Sequence, residues 1–209
     1  MDKRLFIIVF ILLSSQLSAQ SNWKQFWQQS APHKMWVVFH PFKAKKAREI
    51  FFEATRISDS IAKTDLLDKD IAGGQADAFR HAYWMAKLHQ KIGKCAAFSL
   101  GKAHEKANYK TFKKNKFEDG ILPDQASKEM DLFNNKVGLG FTKKGISTDR
   151  NELINQIINT ILKGELMVIK KDTSGNYLTC DGELIPAETL LHSWKNHKCL
   201  IPSNKKMIE

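Results

Sequence analysis

The chain has 209 residues and a formal net charge of +11, with lysine and arginine together contributing 33 residues. Its three cysteines are too few for a disulfide-rich scaffold, and no segment after residue 20 is long and apolar enough to cross a membrane. About 190 residues remain after the first 19, which suits one domain with a small appendage.

The beginning of the chain has the pattern of a secretory signal peptide. Two basic residues precede an apolar run, Leu5 to Leu13, that is too short to span a bilayer, and small residues follow it. We therefore predict cleavage near Ala19 and export, with the mature protein periplasmic or extracellular. In that environment Cys180 and Cys199 can pair, which leaves Cys95 as a small core residue.

Hydrophobic periodicity predicts a mainly helical mature chain. A short helix and an extended segment should cover residues 21–41, and residues 76–88 are apolar on nearly every side, as expected of a buried central helix. Asp124 and an Asp149-x-x-Glu152 capping box mark two later helix starts. The predicted helices cover residues 42–65, 76–91, 94–109, 124–137 and 150–163.

The last part of the chain changes character. ELMVIKK and YLTC, residues 165–171 and 177–180, are predicted to be two strands joined by a Gly turn, and a short helix is predicted over residues 188–197. The predicted fold is therefore mainly α, a compact helical domain with a small C-terminal β-hairpin appendage. The expected divisions are a signal peptide over 1–19, the helical domain over 20–164 and the appendage over 165–209.

Lysine supplies nearly all of the positive charge. The lysines cluster in three short stretches, at residues 43–47, 110–116 and 170–171. A lysine-rich surface is suited to contact with an anionic polymer, a nucleic acid or an anionic lipid. The other interpretation is an ordinary solvated surface, because these clusters lack interleaved arginine and aromatic side chains.

Charged residues occur where the central helix should be most buried. Asp77, Arg80 and His81 lie within five positions of one another, although charged groups are seldom buried unless they are paired or functional. Asp77, His81 and Trp84 share one side of the helix, and Arg80 lies beside them. We therefore predict a polar site on this side of the helix.

The next helix should bring a second histidine to the same level. His81 lies twelve residues before Gly93 and His104 eleven residues after it, so both are about 17 Å from the turn of an antiparallel hairpin. Glu105 is adjacent to His104. The two imidazoles are predicted to lie on facing sides, within reach of a shared ligand.

A third helix has separate apolar and polar faces. If its polar face turns inward, one pocket holds two histidines, up to three carboxylates, two amides and Arg80. A single buried polar residue is usually structural. Polar residues that converge from three helices are less often so. The apolar stripe is Met130, Phe133 and Val137, and the polar face is Asp131, Asn134 and Asn135.

Two chemistries fit these residue types. His81, His104 and Asp131 can hold a divalent metal ion such as Zn²⁺ at an open site. Alternatively, one of the two histidines is a general base oriented by Asp77 or Asp131, and Arg80 holds an anion or an oxyanion. The third interpretation is a buried hydrogen-bond network without chemistry. Candidate substrate-binding residues are Asp77, Trp84, Glu105, Asn134 and Asn135.

Three ordered motifs carry a resemblance to a known family. D-A-F-R-H-x-Y-W from Asp77, H-E at His104 and M-D-L-x-N-N-x-x-G from Met130 resemble an uncharacterised α-helical domain of bacterial secreted proteins, which also occurs at the C-terminal ends of large toxin-like polypeptides. The resemblance covers about residues 40–138. It implies that these polar positions form one site, and it implies no established reaction.

Export together with a convergent polar face favours a secreted hydrolase that acts on a phosphoester, a lipid or a cell-envelope polymer. The chain bears a weaker resemblance to zinc-dependent phospholipases C, which are helical and secreted, but it lacks their H-x-x-x-D and H-x-x-x-E motifs. The other hypothesis is a non-enzymatic envelope protein, in which the polar face is structural and the lysines bind an anionic polymer or lipid.

Overall fold

The computed structural model describes residues 29–117, 121–191 and 193–205. These residues form seven helices and one two-stranded antiparallel sheet near the C-terminal end, which confirms the predicted fold class. None of the helices is long and apolar enough to span a membrane, and the predicted signal peptide lies outside the described residues. The helices are α1 Ala31–Phe39, α2 Pro41–Ala62, α3 Gln75–Ile92, α4 Lys94–Phe112, α5 Gln125–Gly138, α6 Arg150–Leu162 and α7 Ala187–Leu190, and the strands are β1 Met167–Ile169 and β2 Leu200–Pro202.

Helix α3 lies at the centre of the fold, as its composition predicts. It contacts α2, α4, α5 and α6, and its large side chains Phe79, Tyr83 and Met85 are fully buried. Burying a side chain of this size stabilises the fold by about 1.5–3 kcal/mol. Because α3 is surrounded, any charged side chain it carries must be accommodated by the neighbouring helices.

The crossing of α5 over α3 is close because a glycine lies at the contact. A Cβ atom added to Gly138 would lie 2.4 Å from the carbonyl oxygen of Ala82 and 2.8 Å from its Cα. On α4, a Cβ atom added to Gly101 would lie 3.0 Å from Met85 Cε and 3.2 Å from Asn135 Nδ2. These small residues allow the polar side chains of α5 to reach α3.

Gly138→Ala should therefore lower the free energy of unfolding by about 2 kcal/mol, because the new methyl group meets backbone atoms that cannot rotate away. Gly140→Ala is a matched control, since its added Cβ would meet only the Val137 carbonyl oxygen, at 3.1 Å. The control should change stability by less than about 1 kcal/mol. Urea denaturation of both variants measures the difference, and equal stabilities would contradict the close crossing.

The C-terminal strands pair differently from the predicted hairpin. Strand β1 pairs with β2, whereas the YLTC segment contributes only isolated bridges, one of them between Tyr177 and Lys171. The predicted pairing is therefore confirmed only beside the Gly turn, where Lys171 and Tyr177 form an antiparallel bridge and the Leu178 N–H donates to the Lys170 carbonyl oxygen. The pairing of β1 with a later strand was not predicted. A disulfide between Cys180 and Cys199 brings the end of the chain beside β1, so the strand that pairs with β1 comes from later in the sequence.

Two other secondary-structure predictions are wrong at proline-flanked segments. Among residues 29–41, the described part of that stretch, no extended segment follows the short helix, because α1 runs to Phe39 and Pro41 begins α2. Proline is well suited to the first turn of a helix, where its missing N–H is not needed. The helix predicted over residues 188–197 ends at Leu190 as α7, and the backbone then turns so that Trp194 accepts a hydrogen bond from Gln125 N–H.

One burial prediction is also wrong. Cys95 is exposed rather than part of the core, because it lies in the first turn of α4 on the side facing solvent. Phe133, expected in an apolar stripe, is 44% exposed, whereas Asp131 on the same helix is 5% exposed. Helix α5 has turned its polar face inward, and this rotation leaves Phe133 at the surface.

Candidate functional site

Asp77 is held in the first turn of α3 by two contacts. Its Oδ2 accepts a 2.8 Å hydrogen bond from the Gly73 N–H, and its Oδ1 forms an ion pair with Arg80 Nη2 at 2.7 Å. Gly73 has a φ of +103°, which residues with a side chain rarely adopt. The Gly73-Gly74 sequence before α3 therefore presents a backbone N–H to the carboxylate, which also lies near the positive end of the helix dipole.

His81 lies one helical turn after Asp77 and is 4% exposed. Its Nε2 lies 3.2 Å from Asp131 Oδ1 and 3.6 Å from Asp77 Oδ1. Its Nδ1 lies 3.3 Å from Asn135 Oδ1. Helix α5 thus supplies a carboxylate on one side of the ring and an amide on the other, because Asp131 and Asn135 are one turn apart.

The His81 ring has oxygen atoms beside both of its nitrogens, but a neutral imidazole carries only one N–H. If Nδ1–H donates to Asn135 Oδ1, Nε2 faces the carboxylates of Asp77 and Asp131 with its lone pair and is placed to share a metal ion with them. If the Asn135 amide is turned over, Nε2–H donates to Asp131 instead.

One candidate ligand atom each from Asp77, His81 and Asp131 lies within 4.8 Å of the others. Bonds of about 2.0–2.2 Å to a tetrahedral Zn²⁺ would place two ligand atoms about 3.3–3.6 Å apart, and the two distances from His81 Nε2 to the carboxylates are 3.2 and 3.6 Å. Of the three possible metal ligands predicted from the sequence, His81 and Asp131 belong to this cluster together with Asp77, and His104 lies beside it.

His104 lies beside this cluster, as its position in the hairpin predicts. Its ring centroid is 6.2 Å from that of His81 and 5.6 Å from that of Trp84, so the predicted approach of the two imidazoles is confirmed. His104 is partly exposed, whereas Trp84 is 5% exposed. Trp84 also contacts the His81 ring edge-on, with 6.4 Å between centroids, and so forms one wall.

Sequence reasoning missed a third histidine at this site. The His33 ring lies 5.8 Å from that of His104, and its Nδ1 is within hydrogen-bond distance of Ser30 Oγ, at 2.9 Å. Burial lowers the pKa of His33, which favours its neutral form. No spacing rule connects residue 33 with residue 104, because α1 meets α4 only in the tertiary fold.

The other predicted substrate-binding residues differ in their surroundings. Asn134 is fully buried and pairs with the backbone of Met167, donating to its carbonyl oxygen and accepting from its N–H, each at 3.0 Å. It connects α5 to β1 and does not reach the His81 ring. Glu105 is 2% exposed on α4. Among the described residues, Trp84 Nε1 and Asn135 Nδ2 are buried without a hydrogen-bond partner.

Comparisons with known proteins identify a family and no more. The search of curated proteins and the search of solved structures found no match. A family model described as "Domain of unknown function (DUF6973)" matches residues 34–165. This range includes Asp77, His81, His104, Asp131 and Asn135, and it covers well over half of the chain. The chain therefore belongs to this family of domains of unknown function.

Proposed function

We propose that the protein is an exported, metal-assisted hydrolase that acts on a phosphoester, a lipid or a cell-envelope polymer. The observation that carries this proposal is the cluster of Asp77, His81 and Asp131, whose ligand atoms lie within 4.8 Å of one another between α3 and α5. The cluster is buried but borders the partly exposed His104. A buried His–carboxylate cluster is typical of a catalytic site.

Each residue has a role that its surroundings support. Asp77, His81 and Asp131 would hold a divalent ion such as Zn²⁺, which when bound lowers the pKa of a coordinated water to about 7. Asn135 is a positioning residue, because its Oδ1 faces the other ring nitrogen of His81 and fixes the tautomer. His104 is placed to give a proton to a leaving group.

Arg80 places a positive charge at the edge of the cluster. Its side chain is 25% exposed and its Nη2 lies 2.7 Å from Asp77 Oδ1. A guanidinium there attracts an anionic substrate group, and it also reduces the negative charge that Asp77 offers to a metal ion. We therefore expect a metal site of moderate affinity, with its ion lost to a chelator.

Export is supported by two features of the chain. The N-terminal sequence has the signal-peptide pattern, and the disulfide between Cys180 and Cys199 is of the kind that persists in oxidising compartments. The resemblance of the three motifs would place the chain among bacterial secreted and toxin-associated proteins. The periplasm and the extracellular space are both consistent with these features.

Metal content tests the proposal directly. Mature protein purified without chelators should contain about one divalent ion per chain by elemental analysis, and His81→Ala and Asp131→Asn should each lose it, because each removes one of three ligands. His197→Ala is a matched control, since His197 is exposed and outside the cluster. A metal-free protein that neither binds Zn²⁺ in titration nor gains hydrolytic activity with it would contradict the proposal.

A second candidate function is a non-enzymatic envelope protein with a structural polar network. The observation that favours it is Asn135 Nδ2, which is buried without a hydrogen-bond partner among the described residues. If the amide is turned over, Nδ2 donates to His81 Nδ1 and His81 Nε2–H donates to Asp131, so the network closes without a metal ion. In that case His81→Ala would lower the melting temperature, and added Zn²⁺ would change nothing.

A further inference from the structure

A long groove runs between α1, α4 and the beginning of α5, with a volume of about 1060 Å³. That volume is at the upper end of those of small-molecule sites. Its lining combines four lysines with an apolar side formed by Pro32, Met35, Phe39, Tyr109 and Trp194.

The apolar side is exposed and yet built into the fold. Met35 is 55% exposed, Phe39 72% and Tyr109 40%, whereas contiguous apolar patches of this kind usually mark a binding site. Trp194 is held in place by edge contacts to Tyr109, at 4.8 Å, and to Phe112, at 5.3 Å. This wall is therefore formed without a ligand.

A row of lysines also lines the groove. Lys102, Lys106 and Lys110 follow one another at four-residue spacing along α4, and Lys128 of α5 also lines the groove. No ion pair joins any of the four to another described residue. Like charges one turn apart destabilise a helix, so the row is better explained by an anionic ligand than by helix stability.

We infer that the groove binds an anionic monoacyl phospholipid, with the acyl chain against the apolar wall and the phosphate against the lysine row. This inference rests on the proposed function and names the substrate class of the cluster of Asp77, His81 and Asp131. Helix α4 contributes to both places, because Glu105 lines the groove and the adjacent His104 borders the cluster. A polyanion without a lipid chain would meet the lysines but leave the apolar wall exposed.

Headgroup charge is the first test. Monomeric lysophosphatidylglycerol, below its critical micelle concentration, should bind the mature protein in titration calorimetry at low salt, and the zwitterionic lysophosphatidylcholine should bind at least tenfold more weakly. Lys102→Glu/Lys106→Glu should weaken lysophosphatidylglycerol binding at least tenfold, since each lysine near an anionic lipid is worth about fivefold. Lys143→Glu/Lys144→Glu is a matched control, because both lysines are exposed outside the groove.

The apolar wall is the second test. Met35→Asp should abolish lysophosphatidylglycerol binding, whereas Val38→Asp, which changes a 61% exposed residue of the same helix outside the groove, should not. His81→Ala should retain lipid binding, so that a loss of catalysis can be distinguished from a loss of lipid binding in the groove. Absence of binding, equal affinity for both lipids, or a Met35→Asp variant that binds as well as the wild-type protein would each overturn the inference.

Discussion

His81→Ala should lower kcat/KM for the proposed anionic phospholipid substrate by about a thousandfold, because the substitution removes a proposed metal ligand and the group between the two carboxylates. The His81 ring of α3 contacts two polar side chains of α5, with Asp131 3.2 Å from one nitrogen and Asn135 3.3 Å from the other. Its loss should leave the helical circular dichroism spectrum unchanged. Initial rates with saturating Zn²⁺ measure the effect.

His104→Ala is the matched comparison. Because His104 lies outside the ligand cluster, at 6.2 Å between ring centroids, this variant should keep its metal ion while losing about 10- to 100-fold in kcat. The two variants thus separate metal binding from proton transfer. Wild-type rates in His81→Ala, or metal loss in His104→Ala, would show that the roles of the two histidines are assigned wrongly.

Asp124→Ala should lower the free energy of unfolding by about 4 kcal/mol, because one carboxylate serves both helix α5 and the C-terminal tail. Its Oδ1 accepts from the Ser127 N–H at 2.8 Å, and its Oδ2 accepts from Asn196 Nδ2 at 2.8 Å and pairs with Lys198 Nζ at 2.6 Å. Burial lowers the pKa of Lys198, and the Asp124 carboxylate acts to raise it. Removing the carboxylate would leave a buried ammonium without its counter-ion, which typically costs about 3–5 kcal/mol.

Two variants separate the buried pair from the helix cap. Asp149→Ala removes a comparable cap, which accepts from Asn151 and Glu152 N–H groups at an exposed position, and should cost only about 1 kcal/mol. Asp124→Ala/Lys198→Met should regain at least about 2 kcal/mol over Asp124→Ala, because no charge is then left buried. Urea unfolding measures all three variants. Equal losses in Asp124→Ala and Asp149→Ala would show that the ion pair contributes nothing.

The parts of the fold that follow from local sequence could be predicted. Helix α3 was recognisable because its residues are apolar on nearly every side, and Gly93 separates it from α4 as expected. His81 and His104 lie at nearly equal distances from the turn at Gly93, and this was sufficient to predict that their rings approach each other. The predicted pocket required the polar face of α5 to turn inward, and the 5% exposure of Asp131 meets that condition.

The parts that depend on distant contacts could not be predicted. The pairing of β1 with β2 joins segments about thirty residues apart, and hydrophobic alternation does not encode such a partner even though the disulfide between Cys180 and Cys199 was foreseen. His33 reaches His104 only through the packing of α1 on α4. Asp77 and His81 lie on one face of α3 as predicted, but the approach of Asp131 to both depends on how α5 packs on α3.

The attachment of the tail has a consequence for the order in which the chain folds. Gln75 donates a hydrogen bond to the Ser203 carbonyl oxygen, 128 residues later, and Asn196 reaches back 72 residues to Asp124. Contacts of such long sequence separation form slowly, because the loop they close must first lose its conformational freedom. The helical hairpins should therefore assemble early and the tail should dock last. Because Asp124 begins the helix that carries Asp131, the spacing around His81 becomes final only in that last step.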